Sequence, residues 1–358
     1  MARDGGVQEV VRVLQHDLTA RGHTAKIISF RPVDGEHLTS NDSMILLGGG
    51  TDVKALHTTS QFSYGANQSE LDAMLEKEQF DILHFHEPWV PMLSRQLLLR
   101  SKAVNLATFH AKLPDTVMSK TIEKVITPYT RSILKYLNGY TAVSDAAAEY
   151  ISSLTDERIQ IIPNGIDLNK YKRRAKQPSN KTILYIGRLE KRKGVRNLIK
   201  AYRQLVKIEP DATLTIVGDG PERLKLEALV DNWGLKGVEF LGFVSEAQKL
   251  SLLNNSSVFC SPALFGESFG IVLLEAMARG VPVIAGDNPG YSSLMKGQGA
   301  VSLVNPRHSK EFAGRLAQFL IDQNLRQDWL KWADEYVKQF NYPKVVDMYE
   351  LLYKQALK

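Results

Sequence analysis

The 358-residue chain contains one cysteine, Cys260. No internal disulfide can form, which excludes a small stapled secreted scaffold and suits a reducing compartment. No apolar run reaches the ~20 residues that cross a bilayer, and no hydrophobic leader with a cleavage site opens the chain. The expected location is therefore the cytoplasm, with peripheral attachment to the inner face of the cell membrane as an open option. A strong charge excess is also missing. Lys and Arg total 45 against 39 Asp and Glu, a net charge of +6. That balance fits an anionic small molecule or an acidic surface and is too weak to argue for nucleic acid. A Walker loop and zinc-ligand spacings are absent. "HFHEP" places His84, His86 and Glu87 on a candidate strand, where alternate residues share a face, but no second His or Cys cluster supplies further ligands, so no metal site is expected.

Hydrophobic residues make up 44% of the chain, enough for two cores. Short apolar runs alternate with longer segments of helical period. The strand candidates are "AKIISF", "FDILHFH", "NLATFH" and "GYTAVS", then "KTILYIG", "ATLTIVG", "VEFLGFV", "SVFCSPA", "VPVIAG" and "AVSLV". This alternation reads as an α/β chain of two doubly wound, Rossmann-like domains with parallel sheets, facing across a cleft. The expected boundaries are 1–168 and 169–340, with 341–358 a terminal helix packing back on the first domain. The basic stretch "DLNKYKRRAKQPSNK" reads as the linker. The chain opens on a glycine turn that runs straight into a helix. The first domain thus lacks the strand expected before "GGVQ", and the expectation is that the natural protein starts further upstream.

Ligands of such sheets bind beyond the carboxyl ends of the strands. "GESFGIVLLEAMARG" places Glu267 and Glu275 around a helix start expected near Ser268 or Phe269, with Phe269, Gly270 and Ile271 presenting N–H groups to a diphosphate. Acids there would accept from hydroxyls instead of holding phosphate. A capping role for Glu267 and a surface position for Glu275 fit the same letters. In "YIGRLEKRKG", Arg188 and Lys193 lie on a strand-to-helix loop, where cations can converge on phosphate or stand as a solvated charge run, and Arg192 adjoins them. Gly218 and Gly220 in "VGDGPE" read as a plain strand-to-helix turn. His110 ends the "NLATFH" strand, as a site residue or a buried, satisfied histidine.

These pieces together resemble the family 4 glycosyltransferases of GT-B fold. The resemblance is carried by "GGVQ", "TFH", "VSDAAAEYI", "IPNGID", "GRLEKRKG", "VGDGPE", "FLGFV" and the two acids eight apart in "GESFGIVLLEAMARG". It implies a retaining, metal-independent hexosyltransferase with no cofactor besides its nucleotide-sugar substrate. In that likeness Glu275 would hold ribose hydroxyls and Glu267 would face the transferred sugar. Phe269, Gly270 and Ile271 would offer amides to sugar or diphosphate. Arg188 and Lys193 would hold the diphosphate, His110 would contact the sugar, and Gly6 would let its loop close over the donor. Within the family the phosphatidylinositol mannosyltransferases look most alike. That likeness places Val244, Glu246 and Lys249 around the base, with Glu246 favouring guanine and hence GDP-mannose. It places Gln8 and Arg192 near a lipid-linked or polyol acceptor. Trp89 and Ala111 depart from that group on the acceptor side.

"VMSKTIEKVITPYTRSILKYL" sets Lys120 and Lys124, then Arg131 and Lys135, on basic faces that could rest on an anionic leaflet or simply be solvated, with Pro128 dividing two helices and Thr127 capping the second. A non-catalytic binder of nucleotide sugar or lipid, or a transferase using a UDP sugar on another acceptor, also remains compatible with the sequence.

Overall fold

The computed structural model describes residues 6–31, 41–55, 58–64, 66–88, 93–112, 117–174 and 177–358, and the side chains among them except at 49–64 and 117–125. Two compact units result, residues 1–164 with 343–358, and residues 165–342. The division falls four residues before the expected one. The stretch expected as a linker is also different in kind. Tyr171 and Arg174 are buried in the second unit, and Arg174 donates to the carbonyls of Leu253, Asn254 and Ser256 at the end of the Glu246–Asn254 helix. Orphan carbonyls at a helix end need donors, and a guanidinium supplies several at once.

In the first unit, helix Gly6–Ala20 carries Val10, Leu14 and Leu18 on one stripe. Helix Tyr342–Ala356 answers with Val345, Val346, Tyr349 and Leu352, and the two stripes share one core with Leu106 and Ile162. Arg21 locks this pairing by donating to Asp347 at 2.7 Å and Glu350 at 2.8 Å. Strands Ile82–His86, Val104–Phe109, Gly139–Ala142 and Ile159–Ile161 form a parallel sheet in that order. Ile27–Phe30 pairs in parallel with Met44–Leu47. Among the described residues no strand joins this ribbon to the four-stranded sheet, and the residues directly before the first helix lie outside the description. An antiparallel hairpin, Gly49–Ala55 with Thr58–Tyr64, departs from the all-parallel expectation.

Helix Val117–Leu134 runs on through Pro128, where two helices were expected. A proline inside a helix costs roughly 3 kcal/mol, but Thr130 and Ile133 are fully buried, so packing of this face outweighs the loss. Thr127 bonds the Tyr150 hydroxyl at 3.0 Å instead of capping a second helix.

The second unit is a six-stranded parallel sheet ordered Val238–Gly242, Thr213–Val217, Thr182–Ile186, Val258–Ser261, Val283–Gly286, Leu303–Val304. The strand order reverses between Thr182–Ile186 and Val258–Ser261. Ligands of such sheets bind at that switch point, beyond the carboxyl ends.

Leu14→Ala should lower the stability of the first unit by about 2–5 kcal/mol, the cost of truncating a buried leucine. Denaturant melting checks this, and an unchanged midpoint would mean that the two helices do not share a core.

Candidate active site

The switch point is built from two loops pressed closer than side chains allow. Gly194 has φ +72°, and a Cβ there would stand 2.0 Å from the Pro262 carbonyl oxygen. The Leu264 N–H donates to the Arg192 carbonyl at 2.8 Å across the same contact. Gly218, φ +121°, is pressed on the Gly187 carbonyl in the same way, as the turn expected of "VGDGPE" requires. The loop after Thr182–Ile186 is thereby held against the loop after Val258–Ser261.

That contact brings acids and bases together. Glu267 Oε1 accepts from Lys193 Nζ at 2.6 Å and Arg192 Nη1 at 3.0 Å. Glu190, buried in the same loop, pairs with Arg192 Nε and Arg188 Nη2, each at 2.9 Å. Arg188 leaves half of its side chain in solvent. Three cations thus converge, each balanced by an internal carboxylate. The "EKRK" run is no solvated charge face: its acid points inward.

The helix starts at Ile271, behind the expected start, because Gly270 at φ +104° is the residue before it. The turn 266–270 is therefore loop, and Glu267 sits on it. Phe269 is buried edge-on to Phe340, 5.8 Å between centroids, so this part of the turn is anchored by packing. Glu275 is one turn into the helix and buried. Its Oε1 accepts from the Tyr171 hydroxyl at 2.6 Å and from Lys249 Nζ at 2.7 Å. Both bonds fall on Oε1 and neither on Oε2. The two acids around the helix start serve separate sets of cations. Glu246 is largely exposed and bridges Lys170 at 3.0 Å and Lys249 at 3.5 Å. Val244 is half-buried one residue before that helix's cap, Ser245.

"GESFG" also spells the Gly-x-Ser-x-Gly of serine hydrolases, a pattern that needs a histidine base. The one histidine of the second unit, His308, is exposed beside Glu311.

In the first unit the end of Val104–Phe109 is equally dense. His110 is buried, and its Nε2 bonds His86 Nδ1 at 2.9 Å. His84 lies behind, ring to ring with His86 at 4.3 Å, and bonds Tyr353 and Thr108 at 2.7 Å each. Glu87, at φ +55°, accepts from the backbone N–H groups of His110 and Ala111. A non-glycine residue held there is strained, as happens where neighbours dictate the geometry. "HFHEP" therefore builds the seat of His110. Burial pushes the pKa of His110 down to about 4 and that of His84 to about 3, and it holds His86 well below the ordinary value. All three rings are neutral at pH 7. No cluster of three or more His, Cys, Asp or Glu arranged to hold a metal occurs among the described residues.

Gly6 and Gln8 are exposed in the first turn of the opening helix. Arg131 and Lys135 are exposed on helix Val117–Leu134 and just beyond it, while the side chains of Lys120 and Lys124, and all of Trp89, lie outside the described residues. The sequence gives no role to Tyr171 or Glu190, and it weighs His86 and Glu87 only as metal ligands. The cue for Tyr171 was one aromatic in an otherwise basic stretch.

Comparison with known proteins now defines the class. Residues 4–170 match the Glycosyltransferase Family 4 model and 168–335 the model of Glycosyl transferases group 1. The chain belongs to this glycosyltransferase family, and its two-unit α/β fold is the GT-B fold. Among its relatives is the phosphatidyl-myo-inositol mannosyltransferase of Mycolicibacterium smegmatis, 31% identical, matched over 95% of this chain and 88% of that protein. Sucrose-phosphate synthase from Thermosynechococcus elongatus superposes with a TM-score of 0.79 at 22% identity, over 98% of this chain and 93% of that one. Anabaena HepE, solved with UDP-glucose, gives 0.66 at 22%, over 80% and 82%.

The histidine column makes stability pH-dependent. Each ring has a folded pKa below its unfolded value near 6.5, so the unfolded chain binds more protons below that pH. Stability is whole above about pH 6.5 and falls toward pH 4, by up to about 1.4 kcal/mol per pH unit for each ring. Urea melts at pH 7 and pH 5 should show the loss, and His86→Gln should remove about one proton from it. Equal stability at both values would contradict the neutral, buried column.

Proposed function

We propose that the protein is a retaining, metal-independent hexosyltransferase that moves mannose from GDP-mannose to a lipid-linked or polyol acceptor such as phosphatidylinositol. The observation that carries the reading is the convergence of Arg188, Arg192 and Lys193 at the switch point, in the same unit as a buried Glu275 whose two bonds both fall on Oε1. A nucleotide sugar matches both halves. Its diphosphate would replace Glu267 and Glu190 as partner of the cations, and its ribose diol would donate to Glu275. The bond from the sugar's anomeric carbon to the phosphate oxygen breaks as the acceptor oxygen bonds on the same face, and the acceptor's proton leaves with the nucleoside diphosphate. Charge grows on that leaving group, and fixed cations oppose it as a metal does elsewhere. Neutral His110 can donate to or accept from a sugar hydroxyl without adding charge.

Acceptor and donor rest on likeness to the mannosyltransferase of Mycolicibacterium smegmatis. A UDP-sugar donor with another acceptor is the second reading. It is favoured by Glu246, whose oxygens pair with Lys170 at 3.0 Å and Lys249 at 3.5 Å, so that part of its charge is already met before a guanine arrives.

Binding, transfer and sedimentation experiments test this. Glu275→Ala should weaken GDP binding by about 1.5–3 kcal/mol, the range for hydrogen bonds to a charged group. Lys193→Ala should cost more in turnover than in binding, since leaving-group charge peaks in the transition state. Calorimetry with GDP and UDP, beside transfer rates, reads both effects and the base preference together, and tighter UDP binding would select the second reading. Transfer should persist in EDTA, whereas loss reversed by magnesium would refute the metal-independent mechanism. Co-sedimentation with anionic vesicles should weaken as salt rises and disappear when Lys120, Lys124, Arg131 and Lys135 are all neutralised. Undiminished sedimentation of that variant would end the peripheral-membrane reading.

A further inference from the structure

We infer that Tyr171 is a positioning residue for Glu275, setting how the site recognises the ribose of a nucleotide. The inference rests on the proposed reading of Glu275 as a ribose acceptor and adds a residue to it. A carboxylate has two oxygens and about four lone-pair sites, and it turns freely unless something holds it. Here both internal donors, the Tyr171 hydroxyl and the Lys249 ammonium, converge on Oε1. They are also bonded to each other, Lys249 Nζ to Tyr171 Oη at 2.9 Å, and the ammonium stands 5.3 Å from the centre of the Tyr171 ring. The three groups form a closed triangle that fixes the carboxylate plane. Both bonds to the carboxylate fall on Oε1 and neither on Oε2.

An oxygen presented in this way suits a vicinal diol, whose two hydroxyls can donate to the same anionic atom. The ring of Tyr171 is buried, and the segment that carries it is tied down on both sides. Lys170 pairs with Glu246, and Arg174 is bonded to the end of the Glu246–Asn254 helix. The hydroxyl therefore has little freedom, and little ordering entropy remains to be lost when a ligand binds. Lys249 alone could not do this, because an ammonium on a flexible stem attracts either oxygen. The neutral, directional hydroxyl decides which oxygen is consumed.

The test is a ligand cycle on the full chain. Calorimetric dissociation constants are measured for GDP and UDP, each against its 2′,3′-dideoxy analogue, with the parent and with Tyr171→Phe. The parent should prefer the ribonucleotide. Tyr171→Phe should weaken ribonucleotide binding about fivefold, as expected for one hydrogen bond, and leave the dideoxy analogue within about twofold. Melting of the ligand-free variant checks that the phenylalanine ring still fills its place. Equal weakening for both ligands would mark a packing role and overturn the inference, as would a variant that keeps the parent's preference. A parent that does not distinguish the two sugars would instead refute the ribose reading of Glu275, and the inference with it.

Discussion

Everything at the candidate site depends on one backbone contact. Gly194 lets the loop after the Thr182–Ile186 strand lie on the carbonyl of Pro262, after the Val258–Ser261 strand. Any side chain at 194 would push the two loops apart by an ångström or more. Arg192 and Lys193 precede this glycine and Glu267 follows Pro262, so their separation is set by the contact and not by their own flexibility. The sheet supplies the location, since its order reverses between these strands.

A site dense in cations has to survive without its ligand. Like charges a few ångströms apart repel, and burial makes the repulsion worse. The protein resolves this with carboxylates of its own. Glu190 and Glu267 each hold two cations, and Glu275 holds Lys249. The first unit takes the opposite route with its histidines. They are buried deeply enough to stay neutral, so three imidazoles can stack beside one another without repulsion.

Much of this was legible in the sequence because parallel strands buried on both faces read as plain apolar runs. "KTILYIG" and "SVFCSPA" became strands as expected, and the turns after them carry the site. What escaped had weak or contrary local signals. Ile159–Ile161 is only three residues long, and the Gly49–Ala55 hairpin is largely polar. Tyr171 lies among lysines and arginines, whose usual reading is solvent. Its role follows from which acid it reaches across 104 positions, and no local pattern encodes that. The start of the Ile271 helix was misplaced because Gly270 adopts a left-handed conformation that ends the preceding loop late.

The terminal helix has a consequence for how the chain is made. Val345, Val346, Tyr349 and Leu352 complete the core that Val10, Leu14 and Leu18 begin. A ribosome therefore delivers the two halves of that core at opposite ends of synthesis, with all of the second unit in between. The unit made first is the one finished last, and its opening helix must wait with an apolar stripe uncovered. A nascent chain stalled after residue 342 would be protease-resistant in its second unit while its first remained open to cleavage.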